Sequence, residues 1–239
     1  MPDALTLTVR SFTTPTPTTR RLVLDLGAVP FTYDAGQAAS LGLHGQRERR
    51  PYSIASAPAD TSADGGIEFL LRTNPAGGLG RHLDAVSVGA RVDFEGPFGA
   101  FVLPDALPQG PMLFIAGGTG LAPLRSLARE ARARAHAGPR HLIYTVRASD
   151  DIAWSDELAR WTEDHGGQAV VTVTRQASTD WPGRRGRIDV GLIRQVIGTT
   201  SPLSFLCGPP EMVEDLTHLL SQLGVPADHV RTEQWSPAV

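Results

Sequence analysis

Hydrophobic and polar positions alternate in short runs along the first half of the chain. Four runs have the two-residue period of a half-buried strand, at 4–10, 21–26, 67–72 and 91–95. Glycine and proline residues separate these runs. Many short strands at this spacing predict a small antiparallel barrel, with one helical turn or short helix at Gly80–Ala85.

The pattern changes after Leu103–Pro111, a segment rich in proline that we interpret as a linker. Beyond it, apolar strands alternate with helices, which predicts an α/β unit with a parallel sheet. The predicted strands are 113–116, 141–146, 169–174 and 203–207, with a short strand ending near Ile188. The predicted helices begin after Gly120, at the caps Ser155 and Asp189, and after Pro209, and the last ends at Gly224. The sequence therefore predicts two domains, 1–106 and 107–239.

The strand 113–116 ends in the glycine-rich turn Gly117–Gly120, and a helix follows with leucines at helical spacing. A turn at the carboxyl end of a parallel strand is where such sheets bind ligands. Glycines let a ligand approach the backbone closely, and a helix amino terminus attracts anions. Tight packing between strand and helix is the alternative interpretation. The spacing is not that of the G-x-G-x-x-G dinucleotide motif, and the absence of lysine excludes a Walker A loop.

Composition narrows the classes of function. The net charge of −3 gives no indication of a nucleic-acid partner. The single cysteine, Cys207, excludes a disulfide framework or a cysteine-ligated cluster within these residues, and we expect no metal site. No secretory signal and no apolar run long enough for a membrane span is evident, so we expect a cytoplasmic protein without a membrane partner.

Four further motifs carry candidate chemistry. Arg50–Ser53 reads RPYS, and its alternation places Arg50 and Tyr52 on one face of an extended stretch. A guanidinium suits a pyrophosphate and a phenol can stack on a fused ring, but a strand edge with a solvated arginine explains the motif equally. Gly77–Gly80 (GGLG) is a candidate anion nest or a hairpin tip. Gly96–Gly99 (GPFG) is a rigid turn, and the CGPP motif at Cys207 ends a second strand.

The order of these motifs resembles the ferredoxin–NADP reductase family over essentially the whole chain. RPYS, GGLG, GPFG, GGTGLAP and CGPP follow one another, with a glutamate near the carboxyl end. The resemblance implies an FAD-binding antiparallel barrel of the Greek-key type, followed by a nicotinamide-nucleotide domain. It places the flavin in the cleft between the two.

The resemblance also implies roles for individual residues. Residues implied to hold FAD are Arg50, Pro51, Tyr52, Ser53, Leu70, Leu71, Arg72, Gly78, Leu79, Gly80 and Trp235. Residues implied to lie along the nicotinamide are Thr119, Cys207, Gly208 and Pro209. Ser53, Cys207 and Glu233 are the expected catalytic residues, with Ser53 near flavin N5. Gly80 stands where the family has serine or threonine, so one hydroxyl contact to the pyrophosphate is missing.

Candidate residues for nucleotide choice follow the strands of the second half. They are Arg147, Thr174, Arg175 and Arg187. Relatives specific for NADP place arginines at comparable positions, and bidentate arginine suits a 2′-phosphate. We therefore expect NADP(H) rather than NAD(H), with a solvated basic loop as the alternative interpretation.

The expected reaction is hydride transfer from NADPH to FAD, followed by electron delivery to a separate carrier such as a ferredoxin, a flavodoxin or an oxygenase component. The alternatives are an NADH-using reductase subunit of a multi-component oxygenase or dehydrogenase, a flavin-binding module without nucleotide turnover, and a binding protein without flavin. Arg125, Arg129 and Arg132 form a stripe on one predicted helix, which is either a solvated face or a surface that steers an acidic carrier.

Overall fold

A computed structural model describes residues 5–73 and 86–235 and shows two six-stranded sheets, one in each half of the chain. The first sheet contains β1 (Leu5–Thr16), β2 (Thr19–Asp25), β3 (Ala38–Leu43), β4 (Arg50–Ser53), β5 (Gly66–Arg72) and β6 (Arg91–Phe98). The four strands predicted in this half are confirmed. The helix α1 (Pro58–Asp64) was not predicted, and the helix predicted at Gly80–Ala85 lies outside the described residues.

The first sheet closes into a barrel. Its strand order is β4-β3-β6-β1-β2-β5, and every pairing is antiparallel. The bridge between Ile54 and Phe69 joins the two edges. In the closed barrel β3 therefore lies beside β4, β4 lies next to β5, and β6 returns to lie beside β3. This is the Greek-key arrangement. The predicted fold of this half is confirmed, and its core is built from alternating strand residues such as Leu22, Leu24 and Phe94.

The second sheet is parallel throughout. It contains β7 (Met112–Gly117), β8 (Arg140–Ala148), β9 (Ala169–Gln176), β10 (Arg184–Arg185), β11 (Leu203–Gly208) and β12 (Val230–Gln234), in the order β10-β9-β8-β7-β11-β12. Its helices are α2 (Leu121–Ala133), α3 (Ser155–Ala159), α4 (Trp161–His165), α5 (Val190–Ile197) and α6 (Pro210–Gln222). Apolar clusters cover both faces of the sheet, as the continuous apolar runs in its strands require.

Several local predictions in this half are settled by the structure. Asp189 caps α5 as predicted, since its carboxylate accepts the Leu192 amide at 2.7 Å. The prediction that Ser155 caps a helix is wrong, because Trp154 occupies the cap position and no side chain there accepts a cap hydrogen bond. The short strand predicted to end near Ile188 is β10, which ends at Arg185. Strand β12 was not predicted, because it is partly exposed and lacks an apolar run.

Two of the three arginines of the predicted stripe on α2 face the barrel, whereas Arg132 is largely exposed and pairs with Asp164. Arg125 is only 7% exposed and forms ion pairs with Glu68 of the barrel and with Glu157. Arg129 binds Asp60 of α1 through two hydrogen bonds, at 2.7 and 2.9 Å. Both predicted roles of the stripe, a solvated face and a surface that steers a carrier, are therefore wrong for Arg125 and Arg129, because these two arginines join α2 to the barrel.

A buried arginine lies at the amino-terminal end of the second sheet. Arg140 donates to His165 Nδ1 at 3.3 Å and to the carbonyl oxygen of His136 at 2.7 Å. The His165 ring also packs against Trp161, with ring centroids 4.1 Å apart. Burial, helped by the positive charge of Arg140, lowers the pKa of His165 from 6.5 to about 4. His165 is therefore neutral in the folded protein at neutral pH.

We expect His165 to make folding sensitive to mild acid. Unfolded histidine takes up a proton near pH 6.5, whereas folded His165 does so only near pH 4. The free energy of unfolding should therefore fall as the pH drops through this window, by at most about 1.4 kcal/mol per pH unit from this group. Denaturant titrations between about pH 6.5 and pH 5 measure this loss of unfolding free energy. The loss should be smaller in H165Q than in the parent chain, whereas the exposed-site control H218Q should lose as much as the parent. Equal slopes for H165Q and the parent would contradict the assignment.

Candidate functional site

The strand order of the second sheet reverses between β7 and β11. Strands β8 and β9 extend the sheet to one side of β7, and β11 and β12 extend it to the other. In open parallel sheets, ligands bind outside the carboxyl ends of the strands at such a switch point. The β7 end carries Gly117–Gly120 and the β11 end carries Cys207–Pro209, so two of the predicted motifs lie side by side.

Close packing accounts for three glycines at this switch point. A Cβ atom on Gly120 would lie 2.2 Å from the carbonyl oxygen of Cys207. Cβ atoms on Gly117 and Gly208 would each approach Met212 to 2.7 Å. Gly118 differs, because its φ of +56° requires glycine while its nearest neighbour would be Trp235, at 3.6 Å. The packing interpretation therefore holds for Gly117 and Gly120, whereas Gly118 is explained by its positive φ and not by close packing.

The three expected catalytic residues meet where the barrel touches this edge. Ser53 Oγ, from the end of β4, donates to Glu233 Oε2 at 3.3 Å. The Cys207 thiol donates to the same oxygen at 3.7 Å. Cys207 and Glu233 are paired in register on β11 and β12, so the parallel sheet brings these two residues together. A hydroxyl, a thiol and a carboxylate thus form one junction between the two halves.

Burial sets the protonation of this junction. It raises the pKa of Glu233 above that of an ordinary glutamate, although the Ser53 and Cys207 hydrogen bonds oppose the shift. Burial, together with the negative charge of Glu233, raises the pKa of the Cys207 thiol well above its usual range. Cys207 therefore stays a thiol at neutral pH and is a poor nucleophile. Glu233 can hold a proton more readily than a solvated carboxylate.

Two buried polar atoms flank the Gly117–Gly118 turn. In the described part of the chain, Trp235 Nε1 and Thr145 Oγ1 have no hydrogen-bond partner. The Trp235 ring lies beside Gly118 and has the Arg72 guanidinium 5.7 Å from its centroid. Thr145 pairs with Gly117 across the sheet. Unsatisfied buried polar atoms are uncommon in folded proteins, and two of the four in the described residues lie at this edge of the sheet, the others being Arg49 Nε and Glu130 Oε2.

On the barrel side, β4 and β5 part from one another next to the junction. Within the described chain no strand ladder pairs Arg50–Ser53 with Leu70–Arg72. The segment just after β4 meets β5 at the bridge between Ile54 and Phe69 and through the Ala55 amide, which donates to the Glu68 carbonyl oxygen at 2.7 Å. Leu71 is buried in the barrel core, and Leu70 packs against α2 and the loop before α3. Leu70 and Leu71 can therefore meet a ligand only through their backbone, whereas the half-buried Arg72 side chain lies over the Trp235 ring.

The remaining residues of the RPYS motif lie along β4. Arg50 is half-buried and pairs with Glu48 at 3.5 Å, while Pro51 is exposed. Tyr52 is half-buried and packs against the edge of the barrel core. The predicted pyrophosphate residues Gly78, Leu79 and Gly80 lie outside the described residues.

The candidate residues for nucleotide choice lie at the carboxyl ends of β8 and β9. Arg147 and Arg175 are exposed, and neither forms an ion pair within residues 5–73 and 86–235. Thr174 donates its hydroxyl hydrogen to the carbonyl oxygen of Val146 at 3.1 Å, which ties the ends of β8 and β9 together. Arg187 stands apart from this pair, since it forms an exposed ion pair with Asp215 at 3.9 Å.

A groove of about 430 Å³ lies beside the junction and includes residues that sequence reasoning missed. Its lining residues are Ala100, Phe101, Arg231, Thr232 and Glu233. The sequence signal that could have identified Ala100 and Phe101 is their position directly after the GPFG motif. Nothing in the sequence indicated that the strand carrying Glu233 would return beside them.

Two family models match the halves that hold these elements. An oxidoreductase FAD-binding domain matches residues 6–103, and an oxidoreductase NAD-binding domain matches residues 114–218. Ferredoxin–NADP reductase B of Sorangium cellulosum is 33% identical over 216 residues, covering 86% of each chain. The chain belongs to the ferredoxin–NADP reductase family.

Other relatives in the family are longer than this chain. The ferredoxin–NAD(P)+ reductase component of the naphthalene 1,2-dioxygenase/salicylate 5-hydroxylase systems of a Ralstonia species is 34% identical over 225 residues. That match covers 92% of this chain but only 65% of the relative, so the chain spans about two thirds of that protein. The solved structure of the Amycolatopsis cytochrome P450 reductase GcoB superposes with a TM-score of 0.86 at 32% identity, covering 99% of this chain and 71% of that chain.

Within the described residues, none of the helices is both long and apolar enough to span a membrane.

We expect Gly120 to tolerate no side chain. In G120A the new Cβ would overlap the Cys207 carbonyl, and either β11 or α2 would have to move, which should reduce the free energy of unfolding by about 3 kcal/mol. Chemical denaturation measures this loss. G110A is the matched control, because a Cβ at Gly110 meets nothing within 4 Å. A G120A variant as stable as G110A would contradict the close packing.

Proposed function

We propose that this chain is an FAD-dependent oxidoreductase that takes hydride from NADPH and passes electrons to a separate carrier such as a ferredoxin or a flavodoxin. Residues 1–106 would form the FAD-binding domain and 107–239 the nucleotide-binding domain. The junction of Ser53, Cys207 and Glu233 carries the proposal, because it joins the barrel edge to the switch point of the parallel sheet.

The residues at this junction fit a flavin. The parted strands β4 and β5 present Tyr52 on one side and backbone groups of Leu70–Arg72 on the other. Arg50 is half-exposed on β4 and can reach a phosphate. Trp235 Nε1 is a buried polar atom without a hydrogen-bond partner in the described chain, and a Cβ at Gly118 would meet nothing closer than the Trp235 ring, at 3.6 Å. Arg50, Pro51, Tyr52, Ser53, Leu70, Leu71, Arg72, Gly78, Leu79, Gly80 and Trp235 are the residues proposed to hold FAD.

The nucleotide side is proposed at the switch point. Thr119, Cys207, Gly208 and Pro209 would place the nicotinamide against the flavin. Bound FAD accepts hydride and can release electrons singly, which suits a one-electron carrier. The protein would hold the flavin and nicotinamide rings against each other, which makes hydride transfer effectively unimolecular.

The polar residues of the junction act on protons. Ser53 would donate a hydrogen bond to the reacting edge of the flavin, and its present acceptor, Glu233, holds it in the cleft. Because burial raises the pKa of Glu233, this carboxyl can hold a proton near the cleft at a higher pH than a solvated one. The neutral Cys207 thiol fills space beside the nicotinamide without bringing a charge into it.

Anaerobic mixing of the FAD-loaded protein with NADPH tests the proposal. We expect the flavin absorbance to bleach, and we expect catalytic reduction of an added one-electron dye or ferredoxin. A protein that binds FAD but is not reduced by either nicotinamide nucleotide would instead be a flavin module without turnover. A preparation that binds no FAD would contradict the proposal altogether.

We expect S53A to slow flavin reduction more than it weakens FAD binding. The limiting rate in stopped-flow mixing with NADPH should fall by about tenfold or more, because the lost hydrogen bond acts on the reacting edge. The Kd for FAD should change by less than about fivefold, the value of one neutral hydrogen bond. S221A, at an exposed position on α6, is the control. An unchanged reduction rate in S53A would refute this role.

The choice of NADPH rests on the arginines at the ends of β8 and β9. Arg147 and Arg175 have no carboxylate partner in the described chain, so both guanidinium groups are available to a 2′-phosphate. Thr174 lies between them in the same corner, and Arg187 can approach it only by leaving Asp215. Arg147, Thr174, Arg175 and Arg187 are therefore proposed to select NADP(H), with Arg147 and Arg175 making the main contacts.

We expect R147Q and R175Q each to lower kcat/KM for NADPH by roughly tenfold, about 1.4 kcal/mol, and to leave kcat/KM for NADH unchanged. R194Q is the matched control, because Arg194 is an exposed arginine on α5 away from these strand ends. Steady-state turnover with both nucleotides measures the effect. A parent chain that strongly prefers NADH would reject the NADPH assignment.

A second candidate is an NADH-using reductase component of a multi-component oxygenase. The similarity to the Ralstonia reductase component favours it, since that protein is named as part of a dioxygenase and hydroxylase system. Cys207 is the only cysteine in these 239 residues, so electrons would leave to a centre outside them. Co-purification with an oxygenase component and preference for NADH would favour this candidate.

A further inference from the structure

In the described chain, three hydrogen bonds between the halves fall on one short segment of the barrel, Ser53–Ser56, next to the ion pairs of Glu68 and Asp60. At its first residue, Ser53 binds Glu233 of β12. At its end, Arg125 Nη1 donates to the carbonyl oxygen of Ala55 at 2.8 Å, and Ser126 Oγ donates to the carbonyl oxygen of Ser56 at 2.7 Å. The segment that carries the proposed flavin contact is therefore held from both ends by the nucleotide half.

The same helix that holds this segment also begins at the switch point. Helix α2 starts at Leu121, directly after the turn Gly118–Gly120. Arg125 and Ser126 follow little more than one turn later, at about 1.5 Å of rise per residue. One rigid helix thus fixes the spacing between the turn at Gly118 and the barrel segment next to Ser53.

Four groups of the described chain contact the buried Arg125 guanidinium. Its Nε donates to Glu157 at 2.7 Å, while its Nη1 binds Glu68 at 3.3 Å as well as the Ala55 carbonyl. The Trp154 ring lies 4.8 Å from its Cζ atom, and Trp154 Nε1 donates to Glu68. Such a buried fork, paired on two sides, cannot be replaced by the single point charge of lysine.

Trp154 shows how firmly this contact is held. Its φ of +51° lies in the left-handed region, which is unfavourable for a residue with a large side chain. The structure maintains that conformation where the ring packs on Arg125 and its nitrogen meets Glu68. Burial opposes ionisation of Glu68, but hydrogen bonding from Arg21 and the charge of Arg125 lower its pKa, so the pair stays ionised at neutral pH.

We propose that Arg125, supported by Ser126, is a positioning residue that fixes the barrel segment bearing Ser53 against the nucleotide-binding turn, and so sets the rate of hydride transfer without touching either cofactor. This inference rests on the proposed function. In the step concerned, the C–H bond of the reduced nicotinamide breaks and its hydride bonds to the flavin. The nicotinamide is oxidised as the flavin is reduced. Transfer over so short a range depends steeply on the approach of the two rings.

The test compares R125K and S126A with R132K. Arg132 lies on the same helix but pairs with Asp164 at a largely exposed position, so R132K is the matched control. Three measurements are made on each protein: FAD content, the limiting rate of flavin reduction by saturating NADPH, and deuterium uptake by the amides of residues 53–57. Reduction by dithionite serves as a reference that does not depend on the position of the nucleotide.

We expect R125K to bind FAD stoichiometrically and to be reduced by dithionite at the parent rate, while its limiting rate with NADPH falls at least tenfold. Its Kd for NADPH should stay within twofold, and deuterium uptake at 53–57 should rise. S126A should lose about threefold in rate, and R132K should match the parent. A rate within twofold of the parent in R125K overturns the proposal.

Two further outcomes are also decisive. If R125K does not fold, an unchanged limiting rate in S126A overturns the proposal and a reduced one supports it. If the parent chain itself is not reduced by NADPH, the proposed function fails. Uptake at 53–57 then decides the structural part alone, since values for R125K and S126A equal to those of the parent would overturn it.

Discussion

The structure depends on a set of buried charges between two unlike sheets. The barrel and the parallel sheet each have their own core, and neither contains the whole cleft. Helix α2 meets the barrel through a small apolar cluster that includes Leu70 and Ala122, through the buried ion pair of Arg125 with Glu68, and through the half-exposed pair of Arg129 with Asp60. Buried ion pairs tolerate little change of geometry, because a displaced partner leaves an uncompensated charge. Such an ion pair therefore restricts the distance between the two sheets to a narrower range than apolar contact alone would.

The cleft that results has an unusual electrostatic character for a largely neutral chain. Its candidate positive groups are half-buried Arg50 on β4 of the barrel and exposed Arg147 and Arg175 on β8 and β9 of the sheet. The centre holds a carboxyl with a raised pKa and a thiol that stays protonated. Under the proposed function, these arginines would receive phosphates and the centre would face the uncharged rings.

Much of the fold could be predicted from the sequence because its elements have strong local signals. The two-residue period of the barrel strands and the apolar run 113–116 each indicate one kind of structure. The short helix α1 and the strand β12 were missed because both are partly exposed and carry no regular apolar pattern. Strand β3 was also missed, because its sequence AASLGL does not alternate between polar and apolar residues. β12 forms because its backbone completes the edge of β11, a tertiary pairing that no local pattern indicates.

Only part of the candidate site could be predicted from the sequence. The order of the motifs placed Ser53, Cys207 and Glu233 in one cleft. In the structure, Ser53 and Cys207 both donate to one carboxylate oxygen of Glu233. The role of Arg125 was not predictable, because spacing along a helix shows which residues share a face and not what that face meets. A stripe of arginines is usually solvated. Here Glu68 and Asp60 of the barrel meet it, and they lie about 60 residues earlier in the chain.

The central claim is that one cleft, closed by Ser53, Glu233 and Cys207, receives a flavin on its barrel side and a nicotinamide on its sheet side. A crystal structure of the chain with FAD and NADP+ tests it most directly. The account predicts the isoalloxazine ring against Tyr52, within hydrogen-bond distance of Ser53, and the dinucleotide across Gly118 and Cys207. FAD bound elsewhere, or a dinucleotide lying away from the carboxyl ends of β7 and β11, would contradict it.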